Sequence, residues 1–236
     1  MKARYLIIGN GAGGIGAVEA IREVDRKGSI ALVSDEPYPA YSRPMIAKYL
    51  SGERGLDDIL YRPEGFYDVN GVVRFLGRKV AGISLKGRRA AMDNGDEVRW
   101  DKLLLATGGS PIIPKGLNPG LKGVYTFTTL DDARAIGEAL SAGSRVVVVG
   151  GGLIGISAAE ALRKRGAEVT IVELKGAILN TVLDGRGSAI AEAAVSRHGV
   201  KIVTGRTVSK IAGKEKVSGV VLDSGERLTA DMVVLA

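Results

Sequence analysis

Short, wholly apolar runs alternate along this chain with longer stretches whose apolar positions recur every three or four residues. Arg4-Tyr-Leu-Ile-Ile-Gly9 reads as a buried strand running into a turn. Ala17, Val18, Ile21 and Val24 then form one face of a helix, and Ile30 to Val33 makes a second apolar strand ending in Ser34-Asp35-Glu36. Between the first strand and the helix, Gly9, Gly11 and Gly14 form a GxGxxG pattern. Strand, glycine turn, helix, strand and acid together predict a βαβ unit of the kind that binds a dinucleotide.

The same pattern returns 141 positions on, from Gly9 to Gly150. Val146 to Val149 is the strand, Gly150, Gly152 and Gly155 are the glycines, and Ala158, Ala159 and Leu162 begin the helical stripe. Glu19-Ala20 maps onto Glu160-Ala161, and Gly28…Asp35 corresponds to Gly166…Glu173. One GxGxxG arises for many reasons; two copies, each with flanking strands and a terminal acid, are specific.

Each unit is followed by β-forming residues around a turn, Asp93-Asn-Gly-Asp96 in the first and Asp223-Ser-Gly-Glu226 in the second. These predict antiparallel meanders feeding a last strand, Lys102 to Ala106 and Asp231 to Ala236. The first copy continues into Thr107-Gly108; the second stops at Ala236, so the chain is expected to be cut short inside its own repeat. Residues 109–124 hold three of the seven prolines and read as a stiff linker. The fold class expected is α/β, with two Rossmann-like domains, 1–112 and 113–236. Each has a mainly parallel sheet, helices and an antiparallel meander.

Composition narrows the chemistry. Hydrophobic residues are 45% and charged residues 25%, as in a soluble globular protein, and no apolar run approaches a membrane span. The cytoplasm is the expected compartment. With no cysteine, this chain can carry no disulfide, thiolate metal site or redox-active thiol pair. Its only histidine, His198, reads as an exposed residue at a helix end rather than a metal ligand. The net charge of +7 suits anionic nucleotides or an acidic protein partner. Lysines and arginines are scattered among acids without interleaved aromatics, so neither nucleic acid nor membrane is an expected partner.

The glycines suit a pyrophosphate. The first permits the tight turn, the second lets the backbone approach the phosphates at a helix N-terminus, and the third brings the helix close to its strand. The terminal acid accepts ribose hydroxyls. Glu173 does so in the second unit, where it disfavours a 2′-phosphate and hence NADP, while Lys175 softens that discrimination. In the first unit, spacing alone does not choose between Asp35 and Glu36.

Four stretches, Ile7–Gly14, Pro37–Lys48, Leu105–Gly108 and Val149–Gly155, resemble the pyridine nucleotide–disulfide oxidoreductase superfamily over essentially the whole chain. Pro37–Lys48 is similar to the branch of rubredoxin and ferredoxin reductases, NADH oxidases and the NADH-binding part of nitrite reductases. The resemblance implies FAD on the first unit, contacted by Gly9, Gly11, Ala12, Gly13, Gly14, Asp35 or Glu36, Arg43, Lys48, Val80, Ala106, Thr107 and Gly108. It implies NADH on the second, contacted by Gly150, Gly152, Leu153, Ile154, Gly155 and Glu173. Lys48 would sit near the flavin ring and tune it; without the resemblance, Lys48 and Arg43 read as surface charges. Many relatives carry a Glu two residues after the third glycine of the NAD unit, as a partner for that lysine. Here the position is Ser157.

The activity implied is hydride transfer from NADH to FAD and onward to an external acceptor. Acceptors in view are an acidic electron-carrier protein, O2 or a partner redox subunit. The resemblance also implies a homodimer formed through a C-terminal domain outside these residues. The competing reading is a dinucleotide-binding redox sensor or scaffold without turnover of its own.

Overall fold

The computed structural model describes residues 1–63, 65–111, 113, 117, 118 and 120–236. In chain order its elements are β1 (Lys2–Ile8), α1 (Ala12–Val24), β2 (Ile30–Ser34), α2 (Ile46–Leu50), α3 (Phe66–Val69), β3 (Val72–Leu76), β4 (Val80–Ser84), β5 (Arg89–Met92) and β6 (Glu97–Leu105). There follow β7 (Val124–Thr126), α4 (Leu130–Ala139), β8 (Arg145–Val149), α5 (Leu153–Lys164), β9 (Glu168–Glu173), α6 (Gly185–Arg197), β10 (Lys201–Thr204), β11 (Val208–Gly213), β12 (Val217–Leu222), β13 (Arg227–Thr229) and β14 (Met232–Leu235). They divide into two compact units, Met1–Ser42 with Leu56–Gly109, and Arg43–Gly55 with Ser110–Ala236.

The first unit is built on one sheet of order β3-β2-β1-β6-β5-β4. β3, β2, β1 and β6 are parallel, whereas β4, β5 and the start of β6 form an antiparallel meander. A single strand therefore serves both arrangements. β2 is buried throughout because both its faces are covered, which explains an apolar run without alternation. Ile30 and Leu32 pack with Ile15 and Val18 of α1 and with Phe66 and Tyr67 of α3. Ala31 and Val33 pack on the other side with Met92, Val98 and Trp100 of the meander. Each large side chain so buried contributes roughly 1.5–3 kcal/mol.

In the second unit, five parallel strands run in the order β10-β9-β8-β14-β7, and the meander β11-β12-β13 forms a separate three-stranded sheet. Val147, Val172, Val233 and Leu235 of the parallel sheet share one core with Val208, Ile211, Val217, Val220 and Leu222 of the meander. The predicted turns are hairpin loops of one design. Met92 N–H donates to Asp96 O and Gly95 N–H to Met92 O, just as Leu222 N–H donates to Glu226 O and Gly225 N–H to Leu222 O.

The expected α/β fold, with parallel sheets, helices and meanders, is the fold found. Of the 109–124 stretch, Ile112, Pro114, Lys115, Gly116 and Pro119 lie outside the described residues. Leu117 and Leu121 are buried in the second unit's core, and Val217 N–H donates to Lys122 O, so this end of the expected stiff linker is packed structure.

Candidate functional site

In both units the strand that leads into the glycine turn lies between two parallel neighbours on opposite sides, β2 and β6 about β1, β9 and β14 about β8. Such switch points are where open α/β sheets bind ligands. The glycine turns leave the sheets there.

Gly9 has φ +116°, and a Cβ at this position would lie 2.0 Å from the carbonyl oxygen of Ala106. The close approach follows from strand pairing, since Ala106 N–H donates to Ile8 O and Gly9 N–H to Val33 O. Gly14 is needed for a different contact: its Cβ would stand 2.1 Å from Gly9 O, where α1 crosses the turn. Gly11 caps α1, no side chain hydrogen-bonds there, and nothing lies within 4 Å of a Cβ built on it. The second unit repeats all three features. Gly150 has φ +115° with a Cβ position 2.4 Å from Ala236 O, the Cβ position of Gly155 is 1.9 Å from Gly150 O, and Gly152 faces open space at an uncapped α5. The outer glycines of each motif are thus required by the fold, and the middle glycine keeps space free in front of a helix N-terminus that attracts anions. Ala12 and Gly13 form the first turn of α1; Leu153 and Ile154 form that of α5 and are 64% and 47% exposed.

The acids differ. Asp35 follows β2 and is exposed, whereas the carboxylate of Glu36 accepts the Tyr41 hydroxyl. Glu173, the last residue of β9, is drawn onto its own glycine turn: Oε2 accepts Gly151 N–H at 2.6 Å and Oε1 accepts Lys175 N–H at 2.7 Å. A side chain at Gly151 would meet Ile178 at 2.9 Å and Glu173 Cβ at 3.0 Å, so glycine there lets the acid close on the turn.

Ala106, Thr107 and Gly108 follow β6 directly, with Gly108 at φ +72°. They share the β1 end with Gly9–Gly14. Val80 opens β4, half-buried against the meander core.

Arg43 and Lys48 lie in the segment grouped with the second unit. Arg43 Nη1 donates to Thr128 O at 2.7 Å. Lys48, on α2, has its ammonium 3.0 Å from Glu53 Oε2 and 3.7 Å from Glu160 Oε1. Lys164 joins the same two acids, at 2.6 Å from each. Hydrogen bonds from Lys164, Lys48 and Ser51 hold the Glu53 carboxyl down at about 2, and Lys164 likewise lowers that of Glu160. Ser157 lines the same recess as Lys48. The serine thus stands beside the lysine without a carboxylate, and the acids facing it come from Glu53 and from one turn further along α5.

Motif reading missed these acids. The available signal was the repeat itself: Glu160 is the counterpart of Glu19, which accepts a two-pronged contact from Arg62 at 2.7 and 3.0 Å in the first unit. His198 is exposed at the end of α6, and no metal-binding cluster of histidine or acids occurs among the described residues. No helix among them is long and apolar enough to cross a membrane.

A family model described as pyridine nucleotide-disulphide oxidoreductase matches residues 3–236. The chain belongs to this family. Among other members, the assimilatory nitrate reductase electron transfer subunit of Bacillus subtilis (strain 168) is 29% identical, covering 100% of this chain and 31% of its own length. The ferredoxin–NAD(+) reductase component of the biphenyl dioxygenase system of Paraburkholderia xenovorans (strain LB400) is 33% identical, over 98% of this chain and 56% of that protein. The solved covalent putidaredoxin reductase–putidaredoxin complex matches at 28% identity with a TM-score of 0.91, over 99% of this chain and 58% of the other. The chain therefore spans about a third to three fifths of the length of these family members. The branch expected from Pro37–Lys48 is the one to which they belong. A dinucleotide fits both turns of this family member, because each presents free space over Gly11 or Gly152, an uncapped helix N-terminus and an acid at the neighbouring strand end.

Proposed function

We propose that this chain is the two-nucleotide core of an FAD-dependent oxidoreductase that takes hydride from NADH and passes electrons to an external acceptor. The observation that carries the reading is the duplicated turn, with the same two glycines closed by backbone and the same middle glycine left open in both copies. In the first unit the α1 N-terminus and Gly11 receive the FAD pyrophosphate. Asp35 takes the ribose, Glu36 being engaged by Tyr41, and Ala106, Thr107 and Gly108 border the site. In the second, Gly152, Leu153 and Ile154 offer backbone to the NADH pyrophosphate, and Glu173, already turned toward Gly151, takes the ribose. That acid favours NADH over NADPH.

Bound FAD supplies the hydride-accepting and electron-passing chemistry that protein side chains lack. The chain's own contribution is binding, orientation and charge, with Lys48 as the cation that stabilises reduced flavin. An electron-carrier protein or a partner redox subunit is the favoured acceptor. The names of the relatives support it, and a chain without cysteine offers no thiol of its own.

Anaerobic titration of the full-length protein with NADH, followed through the visible flavin bands, tests this. Bleaching at about one NADH per flavin is expected. Absence of flavin bands, or bands indifferent to NADH, would reject it.

A further inference from the structure

The middle residue of the first glycine turn, Asn10, is part of a closed hydrogen-bond circuit. Its Oδ1 accepts the Tyr67 hydroxyl at 2.8 Å, and its Nδ2 donates to Tyr38 O at 3.1 Å. The Tyr67 hydroxyl in turn accepts Ala40 N–H at 2.9 Å. The direction of the circuit is forced. Tyr38 O can only accept, so the amide nitrogen must face it, and the remaining oxygen receives the one proton Tyr67 can donate. Tyr67 is 4% exposed and sits edge-on to Phe66 at 5.5 Å, so its hydroxyl is held in place by packing.

The circuit ties three pieces of the first unit together: the glycine turn, α3, and the 38–40 backbone that follows the acid Asp35. The second unit shows no such device among its described residues. Its corresponding residue is Gly151, where a side chain would run into Ile178 and Glu173, and the acid itself bonds the turn. Position 10 thus gives the first unit by side chain what position 151 gives the second by backbone.

We infer that Asn10, oriented by Tyr67, is a positioning residue for FAD, holding the glycine turn and the segment after the ribose acid in their binding arrangement before the dinucleotide arrives. This rests on the proposed assignment of FAD to the first unit. Preorganisation of this kind strengthens binding by reducing the ordering left to the ligand.

The test compares wild type, Asn10→Ala, Tyr67→Phe and the double variant as full-length holoproteins. It reads the rate of FAD release by recovery of free-flavin fluorescence, and NADH affinity from the dependence of the flavin-reduction rate on NADH concentration. FAD release is expected to be roughly tenfold faster in each single variant, about the worth of one hydrogen bond. The double variant should be little worse than the poorer single, since either change opens the same circuit. NADH affinity should stay within about twofold. Tyr67→Phe keeps the buried ring, so it remains informative if Asn10→Ala fails to fold. FAD release within about twofold of wild type in the folded variants would overturn the inference, as would parallel loss of FAD and NADH binding, which marks a general structural role. Wild-type protein that holds no FAD would instead defeat the assignment of the first unit, and this inference with it.

Discussion

At Gly9 and Gly150 the backbone adopts φ near +115° with the carbonyl of Ala106 or Ala236 where a side chain would begin. Gly11 and Gly152, two residues on, face open space. The two kinds of glycine should therefore fail differently. Gly9→Ala combines left-handed strain with a backbone clash and should cost about 2–4 kcal/mol in chemical denaturation. Gly11→Val should leave the denaturation midpoint of the apoprotein nearly unchanged while the purified protein loses its flavin absorbance; stoichiometric FAD in the folded variant would contradict the pyrophosphate assignment. Glu173→Ala should raise the KM for NADH and narrow the gap to NADPH, because the same change removes a ribose acceptor and a charge that opposes a 2′-phosphate. An unchanged NADH-to-NADPH ratio would show that Glu173 is not the ribose acid. Motif spacing found these residues, but only the contacts at Ala106 and Ala236 explain why two of the glycines tolerate no substitute.

Among the elements, α4 is the one whose start was written into the chain most completely. Thr129 accepts Asp132 N–H at 3.1 Å and Asp132 accepts Thr129 N–H at 2.9 Å, a reciprocal cap. Thr129→Ala should cost about 1 kcal/mol by thermal or chemical unfolding. The link between α2 and α5 is electrostatic and depends on pH. Glu53, held by Lys164 and Lys48, titrates at about 2. A carboxyl depressed in the folded state contributes stability above its ordinary range near 4.5, and that contribution is lost as pH falls toward 2. Carbon-13 NMR of the Glu53 carboxyl should show the low midpoint in wild type and a return toward the ordinary range in Lys164→Met. Because these groups are largely solvated, the accompanying loss of stability at neutral pH should be small.

For the whole molecule, the net charge of +7 together with the proposed acidic carrier predicts an association that weakens with salt. Electron transfer to such a carrier should slow several-fold between about 50 and 300 mM salt while flavin reduction by NADH changes little. Equal sensitivity of both steps would argue against charge-guided docking. The sequence by itself determined the duplicated strand–turn–helix units, the acids at their strand ends, the hairpin turns and the lack of any thiol in this chain, because each is encoded by local period, spacing or composition. Only the tertiary structure decided that Glu36 is engaged by Tyr41 while Asp35 stands exposed. It also decided that the carboxylates facing Lys48 are those of Glu53 and Glu160, and that residues 43–55 pack with the second unit. Likewise it buried Leu117 and Leu121, within the proline-rich stretch, in a core. The reason is the same throughout: these outcomes depend on side chains meeting across folded segments, and a partner far along the chain, such as Glu160 for Lys48, leaves no trace in the periodicity around either residue.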